Sequence, residues 1–243
     1  MSSSCIRCKR VSACPLIPVN DSFLLPQQIQ KGVDLIYQGS VIAIPTDTVY
    51  GLACAAQNQS AIEKLYKIKG RDLNKPLAIC VGNVEAVSHW GKVSSLPSGL
   101  LNSLLPGPVT VVLERTERLN PKLNPNLNKV GIRVPDSKFV LGLCNKLKEP
   151  LALTSANASN EPSCLAPEEF QYLWHHLSAV FELGTIGDIT SPRVGSTVVD
   201  LCVPGRYRIL RSGSALESTK AILEHFEVEQ DVPNCVDSVS MGY

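Results

Sequence analysis

The feature that most restricts the fold of this chain is a repeated change of hydrophobic period. Short apolar runs of strand length alternate with stretches whose apolar residues recur every three or four positions. Pro26 opens a helical stretch with Ile29, Val33 and Ile36 on one face, ended by Gly39. Val41-Ile42-Ala43-Ile44-Pro45 then reads as a short buried strand. Ser60 and Glu63 have capping-box spacing for a helix carrying Ile62, Leu65, Tyr66 and Ile68, closed by Gly70. Further strands are expected over 77–81, 109–113, 131–134, 151–154, 179–183, 196–201 and 207–210. Helices are expected over 84–90, 100–105, 138–148, 167–177 and 216–226. Neighbouring strands with no helix between them require a mixed sheet, so the fold class is α/β with a single twisted mixed sheet. The main folded unit runs over 23–226. A basic Ser/Cys/Pro-rich segment, 1–22, and an acidic one, 227–243, read as flexible tails.

Composition narrows the function classes. With 44% hydrophobic and 19% charged residues the chain can bury a core and is too apolar for disorder. The net charge of +1 points to no polyanionic partner by itself. No apolar run reaches the roughly 18 residues that a membrane span needs. The nine cysteines are scattered and odd in number, which argues for reduced thiols rather than a disulfide framework. Cys5-Ile6-Arg7-Cys8 is a lone CxxC, short of the four ligands of a structural zinc site. A cytoplasmic location is expected. Arg7, Lys9 and Arg10 with several serines also give the N-terminus a composition compatible with mitochondrial import.

Polar residues cluster where the strands end, the usual place for ligands in open α/β folds. Pro45-Thr46-Asp47-Thr48-Val49-Tyr50-Gly51-Leu52 follows the first buried strand as a strand-to-helix loop. It could hold a small polar substrate or merely satisfy turn backbone. Lys69-Gly70-Arg71 with Lys75 gathers cations around a glycine able to cap a helix left-handed. That fork suits phosphates, although a helix C-terminus attracts the same charges. Thr154-Ser155-Ala156-Asn157 leaves a strand with hydroxyl and amide groups. Arg133, flanked by apolar residues on a strand, needs an anionic partner. A substrate carboxylate or a structural aspartate would serve equally. Arg211, followed by Ser212-Gly213, is a similar case. There is no P-loop and no Gly-x-Gly-x-x-Gly, so a nucleotide would be held by scattered groups. His175 and His176 are adjacent and do not share a helix face for metal binding.

Taken in order, several strings resemble the YrdC/TsaC family of threonylcarbamoyl-AMP synthases. They are 45–52 (PTDTVYGL), Lys69-Gly70-Arg71 with Lys75-Pro76-Leu77, Leu105-Pro106-Gly107-Pro108-Val109-Thr110, Ile132-Arg133-Val134-Pro135, Ser155-Ala156-Asn157, Gly195-Ser196-Thr197-Val198-Val199-Asp200 and Ile209-Leu210-Arg211. The resemblance implies a YrdC-like domain with a large concave basic cavity. It implies a nucleotidyltransferase that converts L-threonine, bicarbonate and ATP to L-threonylcarbamoyladenylate and pyrophosphate, for the tRNA modification threonylcarbamoyladenosine. Lys69 and Arg71 would be catalytic. Thr46, Arg133, Leu153 and Ser196 would bind threonine. Lys69, Arg71, Lys75, Lys129, Ser155, Asn157, Ser163 and Arg211 would bind ATP, which brings Mg2+, with no metal held by the protein. Cys80 stands where some relatives have His. A KEOPS-type or organellar threonylcarbamoyl transferase, with a tRNA contact, is the partner implied. The alternatives are a non-catalytic module for tRNA or double-stranded RNA, and a carbamoyl-adenylate enzyme with another substrate, like the related domain of hydrogenase-maturation carbamoyltransferases.

Overall fold

A computed structural model of the protein describes residues 14–70, 75–159, 161–187 and 193–231. In chain order the elements are β1 (Leu16–Pro18), α1 (Leu25–Tyr37), β2 (Ile42–Pro45), β3 (Tyr50–Ala55), α2 (Gln59–Lys69), β4 (Ala78–Cys80), α3 (Val87–Trp90), α4 (Leu100–Leu104) and β5 (Val109–Glu114). They continue with β6 (Lys129–Arg133), α5 (Lys138–Leu147), β7 (Leu151–Ser155), a 3₁₀ helix (Pro167–His176), β8 (Val180–Glu182), β9 (Thr197–Asp200), β10 (Arg206–Arg211), α6 (Leu216–His225) and β11 (Glu229–Gln230). Among the described residues the strands form one sheet, in the order β1-β8-β2-β3-β7-β4-β6-β5-β9-β10-β11. Parallel and antiparallel pairs are both present, for example β4 with β6 and β2 with β3, so the mixed α/β class expected from the sequence is the one observed.

Side-chain alternation splits the sheet into two differently covered faces. Leu52, Ile79, Val111, Ile132, Ala152 and Val199 point to one side and merge into a large core with α2, α4 and the 3₁₀ helix. Ile42, Ile44, Ala53, Cys80 and Leu151 point to the other, beneath α1 and α5. These two helices pack on each other, and Val33 and Ile36 of α1, from the stripe expected in the sequence, share one apolar core with Phe139, Val140 and Leu143 of α5. They cover only part of their face. On the same face β3, β7, β4, β6, β5 and β9 also present Gly51, Leu153, Ala78, Arg133, Thr110 and Val198, which line a cleft.

Local details differ from the expectation in three places. PTDTVYGL is not a strand-to-helix loop: residues 46–49 turn β2 back into antiparallel β3, with Pro45 opposite Tyr50. The apolar run Leu52-Ala53-Cys54-Ala55 is short and unflanked by β-branched residues, so only its neighbours mark it as a strand. The cap of α2 is Asn58, in extended conformation, whose Oδ1 accepts the Ala61 N–H at 3.1 Å. Ser60 donates its hydroxyl to that same oxygen instead of capping. The expected left-handed turn at Gly70 is present, with φ 54°. Within the stretches read as tails, β1 pairs with β8 and β11 with β10, while residues 1–13 and 232–243, with the CxxC pair, lie outside the described residues. No helix among the described residues is long and apolar enough to cross a membrane.

Candidate functional site

The cleft holds about 720 Å3 of open space, its mouth included. Thr46, Arg133, Leu153, Ser155, Ser163, Ser196 and Arg211, seven of the residues singled out in the sequence, all line it. They come from turns and strands far apart in the chain, and the sheet order accounts for their meeting. Because β7 is inserted between β3 and β4, Ser155 lies directly opposite Gly51 and Leu153 opposite Ala78. On the other flank β5 pairs with β6 and β9, which sets Thr110 and Ser196 together.

Among the described residues two arginines line the cleft, and each is held by protein acceptors. Arg133 is only 4% exposed and makes an ion pair through Nη2 with Asp47 Oδ1. The same nitrogen donates to Thr48 Oγ1 at 2.9 Å, while the buried Nε has no partner. The anion demanded by a buried guanidinium is therefore an aspartate of the β2–β3 turn. Asp47 Oδ2 in turn accepts the Asp136 N–H at 3.1 Å, and Ser137 Oγ donates to Pro45 O at 3.0 Å, so the β6–α5 turn is sewn to the β2–β3 turn. Thr46 tightens that turn from inside: its hydroxyl donates to Val49 O at 2.6 Å and accepts from the N–H groups of Thr48 and Val49. Across the cleft, Arg211 donates from Nε and Nη2 to Ser196 O at 3.2 and 2.9 Å, and from Nη2 to Ser196 Oγ at 3.1 Å. Ser196 Oγ lies 2.7 Å from Thr110 Oγ1. A Cβ on Gly213 would stand 2.2 Å from the Thr197 nitrogen, so only glycine lets the chain after β10 lie against the entry to β9.

Other residues singled out in the sequence are placed differently. Lys69, 4% exposed, turns its ammonium inward, donating to Ser155 O at 2.8 Å, to Asn157 O and to Asn157 Oδ1 at 3.3 Å. The Asn157 amide nitrogen donates to Ala158 O and Glu161 O, so this side chain shapes the loop after β7. Lys75 stands one residue before Pro76, which lines the cleft. Arg71 lies outside the described residues. Lys129 begins β6, four residues and roughly 13 Å of strand from Arg133. Its Nζ pairs with Asp200 at 2.8 Å, beside Arg206, Arg208 and Asp231 in a separate hollow. Cys80 sits under α5 in the apolar layer, where burial pushes its thiol up to about 12.

The residues not assigned from the sequence are those that work through space. Asp47 and Thr48 lay in the PTDTVYGL string without a role, although the unpaired Arg133 was a signal for one. Asn124, buried in the left-handed region at φ 51°, copies a strand partner: its Oδ1 accepts the Leu77 N–H at 2.7 Å and its Nδ2 donates to Leu77 O at 2.8 Å. It thereby fixes where β4 starts beside the cleft. Arg193 donates to Ser163 O at 3.1 Å and to both carboxylate oxygens of Glu169, tying the cleft rim to the 3₁₀ helix.

Comparison with known proteins bears on what this arrangement serves. The Sua5/YciO/YrdC family model, described as telomere recombination, matches residues 34–213. The chain is 52% identical over 200 residues to a human protein named threonylcarbamoyl-AMP synthase, covering 82% of this chain and 71% of that one. A Bos taurus protein of the same name is 52% identical over 202 residues, covering 82% and 73%. Among solved structures, P. abyssi Sua5 complexed with L-threonine superposes with a TM-score of 0.75 at 26% identity, over 90% of this chain and 62% of that one.

Proposed function

Because this chain belongs to the Sua5/YciO/YrdC family, we propose that it is a threonylcarbamoyl-AMP synthase, joining L-threonine, bicarbonate and MgATP to give L-threonylcarbamoyladenylate and pyrophosphate. The observation that carries the reading is the convergence of Thr46, Arg133, Leu153, Ser155, Ser163, Ser196 and Arg211 on one cleft. Arg133 is the group for the amino-acid carboxylate, with Thr46 and Ser196 as neutral hydrogen-bonding partners. Arg211, Ser155 and Ser163, with Lys75 and Arg71 nearby in sequence, serve the nucleotide, whose phosphates bring the Mg2+. Lys69 and Asn157 serve the nucleotide by setting the Ser155–Asn157 loop, and Lys129, paired with Asp200, acts from a separate hollow.

The chemistry needs positioning more than a protein nucleophile. Bicarbonate gives up hydroxide to supply CO2, and the threonine amine adds to it and loses a proton, which leaves with the hydroxide as water. An oxygen of the resulting carbamate forms a bond to the α-phosphorus. The bond from that phosphorus to the bridging β-oxygen breaks, and pyrophosphate leaves. A cleft with fixed guanidinium donors holds both reactants and stabilises the charge that shifts to the leaving group. The product would pass to a separate transferase acting on tRNA. Against a non-catalytic RNA-binding module stand the cleft arginines, engaged inward by Asp47 and Ser196 rather than displayed for a phosphate backbone. Incubation of the purified chain with ATP, bicarbonate and single amino acids tests the proposal. Pyrophosphate release that depends on threonine is expected, and its absence would refute the enzyme.

A further inference from the structure

Arg133 is oriented almost wholly by one residue that carries no role in the proposed chemistry. Its Nη2 meets Asp47 Oδ1 and Thr48 Oγ1, while its buried Nε bonds to nothing. Asp47 cannot swing away, since its other oxygen is taken by the Asp136 N–H. The carboxylate is itself nearly buried, with 9% of its side chain exposed. A buried guanidinium without this partner would be an uncompensated charge, free to rotate about its long side chain.

We propose that Asp47 is the positioning residue of the amino-acid subsite: it holds the Arg133 guanidinium at one angle and offsets its charge. A bare cation would attract any anion in the cleft, including the phosphates of the second substrate. The Asp47–Arg133 pair presents a dipole instead, so it rewards a carboxylate that arrives in one orientation and does little for a misplaced phosphate. Specificity for the amino acid then arises from the β2–β3 turn and not from Arg133 alone. This inference rests on the synthase reading and on Arg133 receiving the substrate carboxylate.

The test compares initial rates of pyrophosphate release for the wild-type chain, Asp47→Asn and Thr48→Val, titrating threonine at saturating ATP and ATP at saturating threonine. Asp47→Asn removes the charge and leaves one acceptor oxygen for two donors, Arg133 Nη2 and the Asp136 N–H. It should raise the threonine KM about tenfold or more, the size of one lost hydrogen bond to a charged group. The ATP KM should stay within about twofold, since the nucleotide groups are not disturbed. Thr48→Val removes the second acceptor, together with the 3.2 Å contact of its hydroxyl with Thr46 Oγ1, and should shift the threonine KM in the same direction by about threefold. A merely structural role would lower the melting temperature and leave both KM values, or move them together; either pattern overturns the proposal. Should Asp47→Asn fail to fold, an unmoved threonine KM in Thr48→Val overturns it. A wild-type chain without threonine-dependent release removes the synthase reading and this inference with it, whereas an active wild type with an unshifted Asp47→Asn removes the inference alone.

Discussion

Lys69→Met separates two roles that the same lysine could play. If the ammonium existed only to meet phosphate, the ligand-free protein would hold a nearly buried charge without protein partners. Replacing it by an apolar chain of similar length would then be neutral or stabilising. The structure instead gives the ammonium three acceptors among the described residues: Ser155 O at 2.8 Å, Asn157 O, and Asn157 Oδ1 at 3.3 Å. Methionine would strand these buried oxygens, at about 1–3 kcal/mol for each one left unsatisfied. Relief of the lysine's own desolvation offsets part of that. A net loss of roughly 3 kcal/mol follows, which for a domain of about 200 residues lowers the melting temperature by roughly 6–12 °C. The measurement is thermal and urea unfolding of the ligand-free chain, beside the same experiment on Lys64→Met, whose partly exposed ammonium donates to Gly39 O at 3.0 Å. A Lys69→Met protein as stable as the wild type, or more so, would refute the clamp and return Lys69 to a purely ligand-facing role.

Two further outcomes follow from the same geometry. Gly213→Ala should destabilise by about 3 kcal/mol or more and abolish pyrophosphate release, because the new methyl would strike backbone atoms of Ser196 and Thr197 that cannot turn aside; unfolding within about 0.5 kcal/mol of wild type would contradict the close approach. The Arg193 hydrogen bond holds the Glu169 carboxyl below its ordinary value of 4.5. Its contribution to stability is therefore full above that value and fades as pH falls through the lower folded value. Urea unfolding should show Glu169→Gln less stable than wild type at pH 7 and the gap closing toward pH 3; a gap that does not change with pH would rule the pairing out.

Much of the architecture was legible in the chain. Helices α1, α2, α5 and α6 and the strand runs of β2, β5, β6 and β7 follow from period, caps and Pro or Gly boundaries, which are local properties. Adjacent strand signals announced a mixed sheet, and an arginine inside an apolar strand announced a buried anion. Three strands were not legible: β3, a run of small residues with little strand propensity of its own, and at the chain's two ends β1, three residues ending in Pro18, and β11, two residues, whose pairing comes from the neighbouring strand and not from propensity.

What the chain determined by itself, then, was most of the elements, the faces their side chains take, and the demand that certain charges be paired. Which groups meet those demands was decided by the order of strands in the sheet. Inserting β7 between β3 and β4 put the Ser155–Asn157 loop within reach of the α2 terminus and drew Lys69 inward. Folding PTDTVYGL into a hairpin carried Asp47 to Arg133, 86 residues away in sequence. Periodicity reports only on neighbours along the chain, whereas a buried charge is settled by whatever lies a few ångströms away in space, and that distance exists only once the sheet has formed.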